Sequence, residues 1–359
     1  MIGTPVFAAV ALLAFVGSYI ALCTFRLVAI LVRLVDVAGT LKHHKGAVPL
    51  VGGLGILAGY LLALGVYPVF FSENSYFLIA SALLVITGTL DDRFVLSPAL
   101  RLVVQLVVAL TAVFGAGLVV ETIGAPFFSG AIEMGWLAVP FAILVFVGGI
   151  NAWNMIDGID GLAAVLAFIA LSCMLAIAVA ASPPVQASLI ALLCGIAAFF
   201  LFNLPVYGLH THRTFLGDAG SMFLGLAIVW HALVLSQGPT AVMSPITALW
   251  FVAMPVFDVI TTTLRRVLRG RSPLAGDRQH LHHLLQDHGL STRQTLITIS
   301  IAALLCGAIG LASHFAGVAE SPMFALFALV GAAYFTWVRR LSKSASQAAP
   351  DASKIETSQ

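Results

Sequence analysis

Apolar stretches long enough to cross a bilayer follow one another along almost the whole of this 359-residue chain. A helix needs about 20 consecutive apolar residues to span the hydrocarbon core. Such runs stand at 4–25, 48–70, 76–90, 99–120, 136–150, 161–181, 185–204, 219–236, 243–262, 295–316 and 322–338, the third and fifth being short. Unpaired backbone groups are not tolerated against lipid, so each run is expected to be helical. Hydrophobic residues make up 60% of the chain and the mean hydropathy is +1.06, which excludes an ordinary soluble domain. The expected fold class is an all-α polytopic integral membrane protein with about eleven transmembrane helices. One transmembrane domain covers 1–341, with polar loops at 26–47, 91–101, 151–161, 205–221 and 263–294, and a disordered tail follows at 342–359.

Basic residues mark the cytoplasmic side of a membrane protein. With eleven spans, all 17 Lys and Arg lie in or beside loops of a single side, while the opposite loops carry Glu73, Glu121, Glu133 and Glu320. The N-terminus is therefore expected outside and the C-terminus in the cytoplasm. A cleaved signal peptide is not expected, since no basic residue precedes the first apolar run. Cys23, Cys173, Cys194 and Cys306 fall in or at the ends of apolar runs without paired spacing and read as packing residues. Gly55-x-x-x-Gly59 reads as a helix-packing stripe, and His231 and His314 as packing or interface residues.

Against this apolar background, residues 151–162 (Asn-Ala-Trp-Asn-Met-Ile-Asp-Gly-Ile-Asp-Gly-Leu) concentrate two carboxylates and two carboxamides in a chain that is only 9% charged. An Asp at mid-helix costs about 2.5–3.5 kcal/mol on insertion scales, so such a cluster calls for water, a cation or a substrate. A solvated turn is the plain alternative, because Asn, Asp and Gly all favour turns. Asp91 and Asp92 end the third span, Asp157 and Asp160 follow the fifth, Asp218 opens the eighth and Asp258 lies near the inner end of the ninth. All six approach the same face, and one shared site is expected.

Hard oxygen ligands of this kind suit Mg²⁺, with Mn²⁺ as a substitute, and Mg²⁺ usually shares its coordination with waters and substrate phosphates. Basic side chains in the same loops would neutralise the remaining phosphate charge. Metal-dependent phosphoryl transfer at a membrane surface accounts for both sets. A cation-coupled transporter accounts for the acids alone, and a lipid-binding scaffold for the basic loops alone. A transporter would place its acids near mid-membrane and often shows an internal repeat. Gly217-Asp218-Ala219-Gly220-Ser221 suits close backbone approach to a ligand at a helix start, or an ordinary cap. In the loop 263–294, Arg265, Arg266, Arg269 and Arg271 precede Asp277-Arg278-Gln279-His280-Leu281-His282-His283. Helical spacing would put His280 with His283 on one face and His282 elsewhere. No Cys or acid completes a closed zinc set there, so phosphate contact is expected.

Together the ordered segments Lys42-His43-His44-Lys45, Pro49-x-x-Gly52-Gly53, Leu90-Asp91-Asp92, Asn151-x-x-Asn154-x-x-Asp157-Gly158-x-Asp160-Gly161, Gly217-Asp218-x-Gly220-Ser221, Pro255-x-x-Asp258 and His280-x-His282-His283 resemble the polyprenyl-phosphate N-acetylhexosamine-1-phosphate transferases. The resemblance extends over roughly residues 42–290. Within that family the chain is most similar to the type that uses undecaprenyl phosphate and UDP-GlcNAc. The type that takes UDP-MurNAc-pentapeptide usually has three consecutive histidines at this position and a different Pro-Gly-Gly segment.

What the resemblance implies is transfer of N-acetylglucosamine 1-phosphate from UDP-GlcNAc to undecaprenyl phosphate, with release of UMP. It implies Asn154 and Asp218 as Mg²⁺ ligands, with Asp92 joining through water. Asp91, Asp92, Asp157 and Asp160 are then the catalytic acids. Asp91 aligns the attacking phosphate, and Asp157 and Asp160 organise their loop and read uridine or ribose. Arg101 stands where many relatives carry a phosphate-contacting Lys. His280, His282, His283, Arg265 and Arg266 would hold the diphosphate and sugar, and Lys42 and Lys45 the lipid phosphate. The resemblance also implies a homodimer in the bacterial inner membrane, with its active site on the cytoplasmic face, feeding a cell-surface polysaccharide such as O-antigen. Membrane lipid is a partner and nucleic acid is not. UDP-linked FucNAc, QuiNAc or GalNAc remain alternative donors.

Overall fold

A computed structural model describes residues 4–37, 47–181, 183–204, 213–270 and 280–348. The chain runs through helices α1 (Thr4–Leu31), α2 (Gly52–Gly65), α3 (Pro68–Glu73), α4 (Ser75–Phe94), α5 (Pro98–Leu110), α6 (Ala138–Ile156) and α7 (Leu162–Ala178). It continues through α8 (Pro183–Asn203), α9 (Gly217–Ser236), α10 (Pro245–Phe251), α11 (Ala253–Leu268), α12 (Leu281–Asp287), α13 (Thr292–Phe315) and α14 (Glu320–Ala348). An antiparallel ribbon joins β1 (Val35–Val37) to β2 (Ala47–Pro49). All eleven apolar runs contain helix. Among the described residues seven helices are long and apolar enough to cross a membrane, and the pair α10–α11, bent by 83°, makes an eighth if it is taken as one span.

Local chemistry explains several helix starts. Ser97 accepts the Leu100 amide at the head of α5, with Pro98 in the first turn, and Ser244 accepts the Thr247 amide ahead of Pro245 in α10. Ser291 and Gln294 form a reciprocal capping box at the start of α13. Helix α4 stops at Val95, whose φ of 54° is unusual for a β-branched residue. That turn is secured by Asp91: its carbonyl accepts from the Val95 amide and its carboxylate Oδ1 from the Leu96 amide, at 2.8 and 2.7 Å.

Helix α9 is the central element, with every residue buried except Asp218, Ala232 and Val234. Helices α4 and α6 pack along it, with α2 and α7 against its other sides, and α1 packs on α2 and α8. Small residues make the approaches close. A Cβ on Gly88 of α4 would come within 2.4 Å of the Ala219 backbone, and one on Gly53 of α2 equally close to Gly220. Gly55 and Gly59 meet Leu22, Ala14 and Ser18 of α1, so the Gly-x-x-x-Gly stripe does serve helix packing.

Deep in the bundle a one-way polar chain links α2, α8 and α9. The His231 Nδ1–H donates to the Ala227 carbonyl at 2.7 Å, leaving Nε2 to accept from the Ser188 hydroxyl at 2.7 Å, which in turn accepts from the Tyr60 hydroxyl at 2.6 Å. All three side chains are buried, and Phe77 lies edge-on to both rings. Ser188→Ala is expected to orphan two buried polar groups and cost about 1–3 kcal/mol. A lowered unfolding temperature in detergent checks this; an unchanged one means that neither group depends on Ser188.

Candidate active site

The packing of α9 decides where the acids meet. Helices α4 and α6 run antiparallel to α9, so their C-terminal ends, with Asp91-Asp92 and Asn154 to Asp157, arrive at the N-terminus of α9, where Asp218 stands. The free amides of a helix N-terminus need acceptors. Asp92 supplies one from another helix: its Oδ1 accepts from the Asp218 amide at 3.0 Å and its Oδ2 lies 3.4 Å from that of Ala219. Gly217 has φ +73°, and a Cβ there would lie 2.6 Å from the Asp92 carboxylate, so both conformation and space require glycine. The entry to α9 is also held by backbone bonds, with Pro49 accepting from Phe215, and Phe215 and Leu216 accepting from Gly52 and Gly53. This is the structural use of the Pro-x-x-Gly-Gly segment.

Within the cluster the Asn154 carboxamide donates to Asp218 Oδ1 at 2.8 Å and to the Ser221 hydroxyl at 3.0 Å. Arg101 donates to Asp91 Oδ2 at 2.8 Å and reaches Asp218 at 3.8 Å. Asp91 is buried with both oxygens engaged, one by Leu96 and one by Arg101. Gln105, one turn beyond Arg101, pairs its carboxamide with Asn151 at 2.6 Å and ties α5 to α6. The Asp157 carboxyl is pushed up to about 8, first by burial and then by the charges of Asp218 and Asp92. Among the described residues no three His, Cys, Asp or Glu side chains form a metal cage by themselves.

The six acids differ in their direct partners. Asp91, Asp92, Asp157 and Asp218 surround the α9 N-terminus. Asp160 forms an ion pair with Arg213, whose guanidinium lies 5.0 Å over the Phe215 ring, so the Asn-Asp loop is linked to the strand of chain entering α9. Asp258 turns away to the histidine segment, where it accepts from His280 Nδ1 at 2.6 Å.

The histidines also differ from helical expectation. His280 is extended (φ −70°, ψ 153°) and precedes α12, so helical spacing does not apply to it. His282 is not set apart: its ring stacks on His280 at 6.0 Å and touches His283 at 4.2 Å. It is buried, its pKa is lowered to about 3 by burial first and then by His283, and its Nε2 bears on Gly158, where an added Cβ would lie 2.0 Å away. Arg265 and Arg266 are buried on α11, and Arg265 donates to Ser342 of α14. Lys42 and Lys45 lie outside the described residues. Sequence reasoning passed over Gln105 and Arg213 as site residues. Gln105 was signalled by its place one turn after Arg101 on an otherwise apolar helix, and Arg213 by standing just ahead of the Gly-Asp segment.

The sequence model of glycosyl transferase family 4 matches residues 74–236, which include the whole acid cluster, Arg101 and Arg213. The undecaprenyl-phosphate alpha-N-acetylglucosaminyl 1-phosphate transferase of Escherichia coli O157:H7 is 35% identical over 327 residues, covering 89% of this chain and 88% of the relative. The chain belongs to glycosyl transferase family 4. Other family members of the same name, from Yersinia pestis and Pasteurella multocida, are 34% and 32% identical and cover 91% and 93% of this chain, and 90% and 96% of their own lengths. The matches to these family 4 enzymes thus extend well beyond the acid cluster at 74–236.

Proposed function

We propose that this protein transfers N-acetylglucosamine 1-phosphate from UDP-GlcNAc to undecaprenyl phosphate, releasing UMP. The observation that carries the reading is the acid cluster at the α9 N-terminus with Arg101 bridging Asp91 and Asp218. The names of the relatives supply the sugar and the acceptor. The lipid phosphate oxygen forms a bond to the β-phosphorus, the bond from that phosphorus to the bridging oxygen breaks, and UMP leaves. A phosphomonoester has a second pKa near 6, roughly, and is already largely dianionic at neutral pH. Asp91 is therefore assigned to hold Arg101 against the phosphates, not to remove a proton.

The donor set consists of hard oxygens, with the Asp92 and Asp218 carboxylates and the Asn154 carboxamide brought together at the α9 N-terminus. Mg²⁺, or Mn²⁺ in its place, fits such a set, because it is commonly held by one or two carboxylates together with substrate phosphates. Asp218 and Asn154 would hold it, with Asp92 through water. When bound it offsets diphosphate charge during in-line displacement. Asp160, fixed by Arg213, and Asp157 would present the loop to the nucleotide. His283, Arg266 and, on the lipid side, Lys42 and Lys45 supply the remaining positive charge.

The one-sided distribution of basic residues supports eleven crossings, an outside N-terminus and a catalytic face in the cytoplasm. We take the location as the bacterial inner membrane, and the homodimer rests on resemblance alone. The test is UMP release by purified protein with undecaprenyl phosphate, Mg²⁺ and a panel of UDP-sugars. Lipid-dependent UMP from UDP-GlcNAc, lost on chelation and restored by Mg²⁺, is the expected result. UMP from another UDP-N-acetylhexosamine alone would move the donor, and none from any donor would overturn the transferase reading.

A further inference from the structure

Outside the acid cluster, the most developed polar arrangement surrounds Asp258. Its carboxylate is buried and takes three donors from three parts of the chain. His280 Nδ1 lies 2.6 Å from Oδ2, while the Leu281 amide and the Tyr334 hydroxyl reach Oδ1 at 2.9 and 3.1 Å. A carboxylate only accepts, so the His280 Nδ1 must carry a proton. Nε2 is then the nitrogen left for another partner. The Leu281 amide is the first of α12, and Asp258 thereby caps that helix from α11, a role that His280 at the cap position does not fill with its own side chain.

The arrangement reaches the acid cluster through contact. His280 stacks parallel to His282 (8° between planes), and His282 bears on Gly158, the residue after Asp157. Tyr334 comes from α14, which also supplies Ser342 to Arg265, and packs its ring on Phe257 beside Asp258. A buried polar network whose members satisfy one another in this way holds its side chains rigidly.

Resting on the transferase reading above, we propose that Asp258 and Tyr334 are positioning residues that hold His280 by Nδ1 and offer its Nε2 to the diphosphate of the nucleotide sugar. Asp258→Asn replaces one accepting oxygen with an amide donor among three existing donors. The carboxamide facing His280 then favours the other tautomer, with the proton moved to Nε2. The predicted loss in kcat/KM for the UDP-sugar is about a hundredfold. Tyr334→Phe removes a single hydrogen bond and should cost about two- to tenfold.

The experiment uses full-length protein in detergent and compares Asp258→Asn, Tyr334→Phe and His280→Ala, singly and with each of the first two combined with the third. Because Asp258 and Tyr334 act through His280, adding either change to His280→Ala should leave its rate unaltered. A further loss in the double variants would overturn the proposal and make the two residues merely structural. If Asp258→Asn does not fold, Tyr334→Phe, which keeps the ring, carries the same comparison. Histidine ¹⁵N spectra, with the His280 signal assigned by its absence in His280→Ala, give a readout free of turnover. The protonated nitrogen should be Nδ1 in the wild type and Nε2 in Asp258→Asn; an unchanged tautomer would overturn the proposal. Failure of the wild type to release UMP from any donor would instead strike the transferase reading, while the tautomer comparison would still decide the positioning of His280.

Discussion

Asp218→Ala should lower UMP release by about 10²–10³-fold, the scale seen when one preorganised electrostatic group is removed from an active site. The side chain stands at the head of the central helix, accepts from Asn154 and faces Arg101. Its backbone amide, not its carboxylate, is what Asp92 holds, so the entry to α9 survives the substitution. Removing the carboxylate leaves the Asn154 carboxamide with only the Ser221 hydroxyl. Asn154→Ala should follow the same pattern. The measurement is initial rate alongside the unfolding temperature, with the temperature nearly unchanged and the rate lost. A wild-type rate in either variant would remove that residue from metal binding and from the reaction.

The second large effect is expected from Gly88→Ala, a change of one methyl group on a residue with no functional side chain. The added Cβ would lie 2.4 Å from both the Cα and the amide nitrogen of Ala219. Those are backbone atoms of the helix at the centre of the bundle, and no side-chain rotation relieves the contact. Helices α4 and α9 must separate, at a cost of about 1–3 kcal/mol for an overpacked core. Asp92 lies one turn further along α4 and bonds the first amides of α9, so the same separation breaks the floor of the acid cluster. Both stability and turnover should therefore fall, unlike in Asp218→Ala, where only turnover falls. Retention of full stability would mean that α4 and α9 are less closely apposed than described here.

These two residues show where the fold could be read in advance. Gly88 looked like one of many glycines in an apolar run, because nothing in a period of hydrophobicity says which glycine meets another backbone. Asp218, by contrast, stood out as a lone acid beside two glycines at the edge of an apolar helix. Asp91 was legible as a site acid, but its part in the left-handed turn at Val95 and its hold on Arg101 depend on contacts between separate helices. Asp258 was legible as an acid near the same end of the bundle, but its place between His280 and Tyr334 depends on contacts between separate segments. His282 was misplaced because helical spacing was applied to His280, which lies just outside the helix.

Composition and order along the chain determined that this is a bundle of apolar helices with its chemistry gathered in the polar segments between them. That much follows from the expense of polar groups in lipid, which confines them to the ends of helices whatever the bundle's arrangement. Which ends meet was decided only by tertiary packing. The antiparallel seating of α4 and α6 on α9 brings two helix C-termini to one N-terminus, and contact at backbone distance through Gly53, Gly88 and Gly220 fixes their depth. Hydrogen bonds and close contacts across helices depend on distances of a few tenths of an ångström, and a one-dimensional pattern of apolar and polar residues carries no such distances.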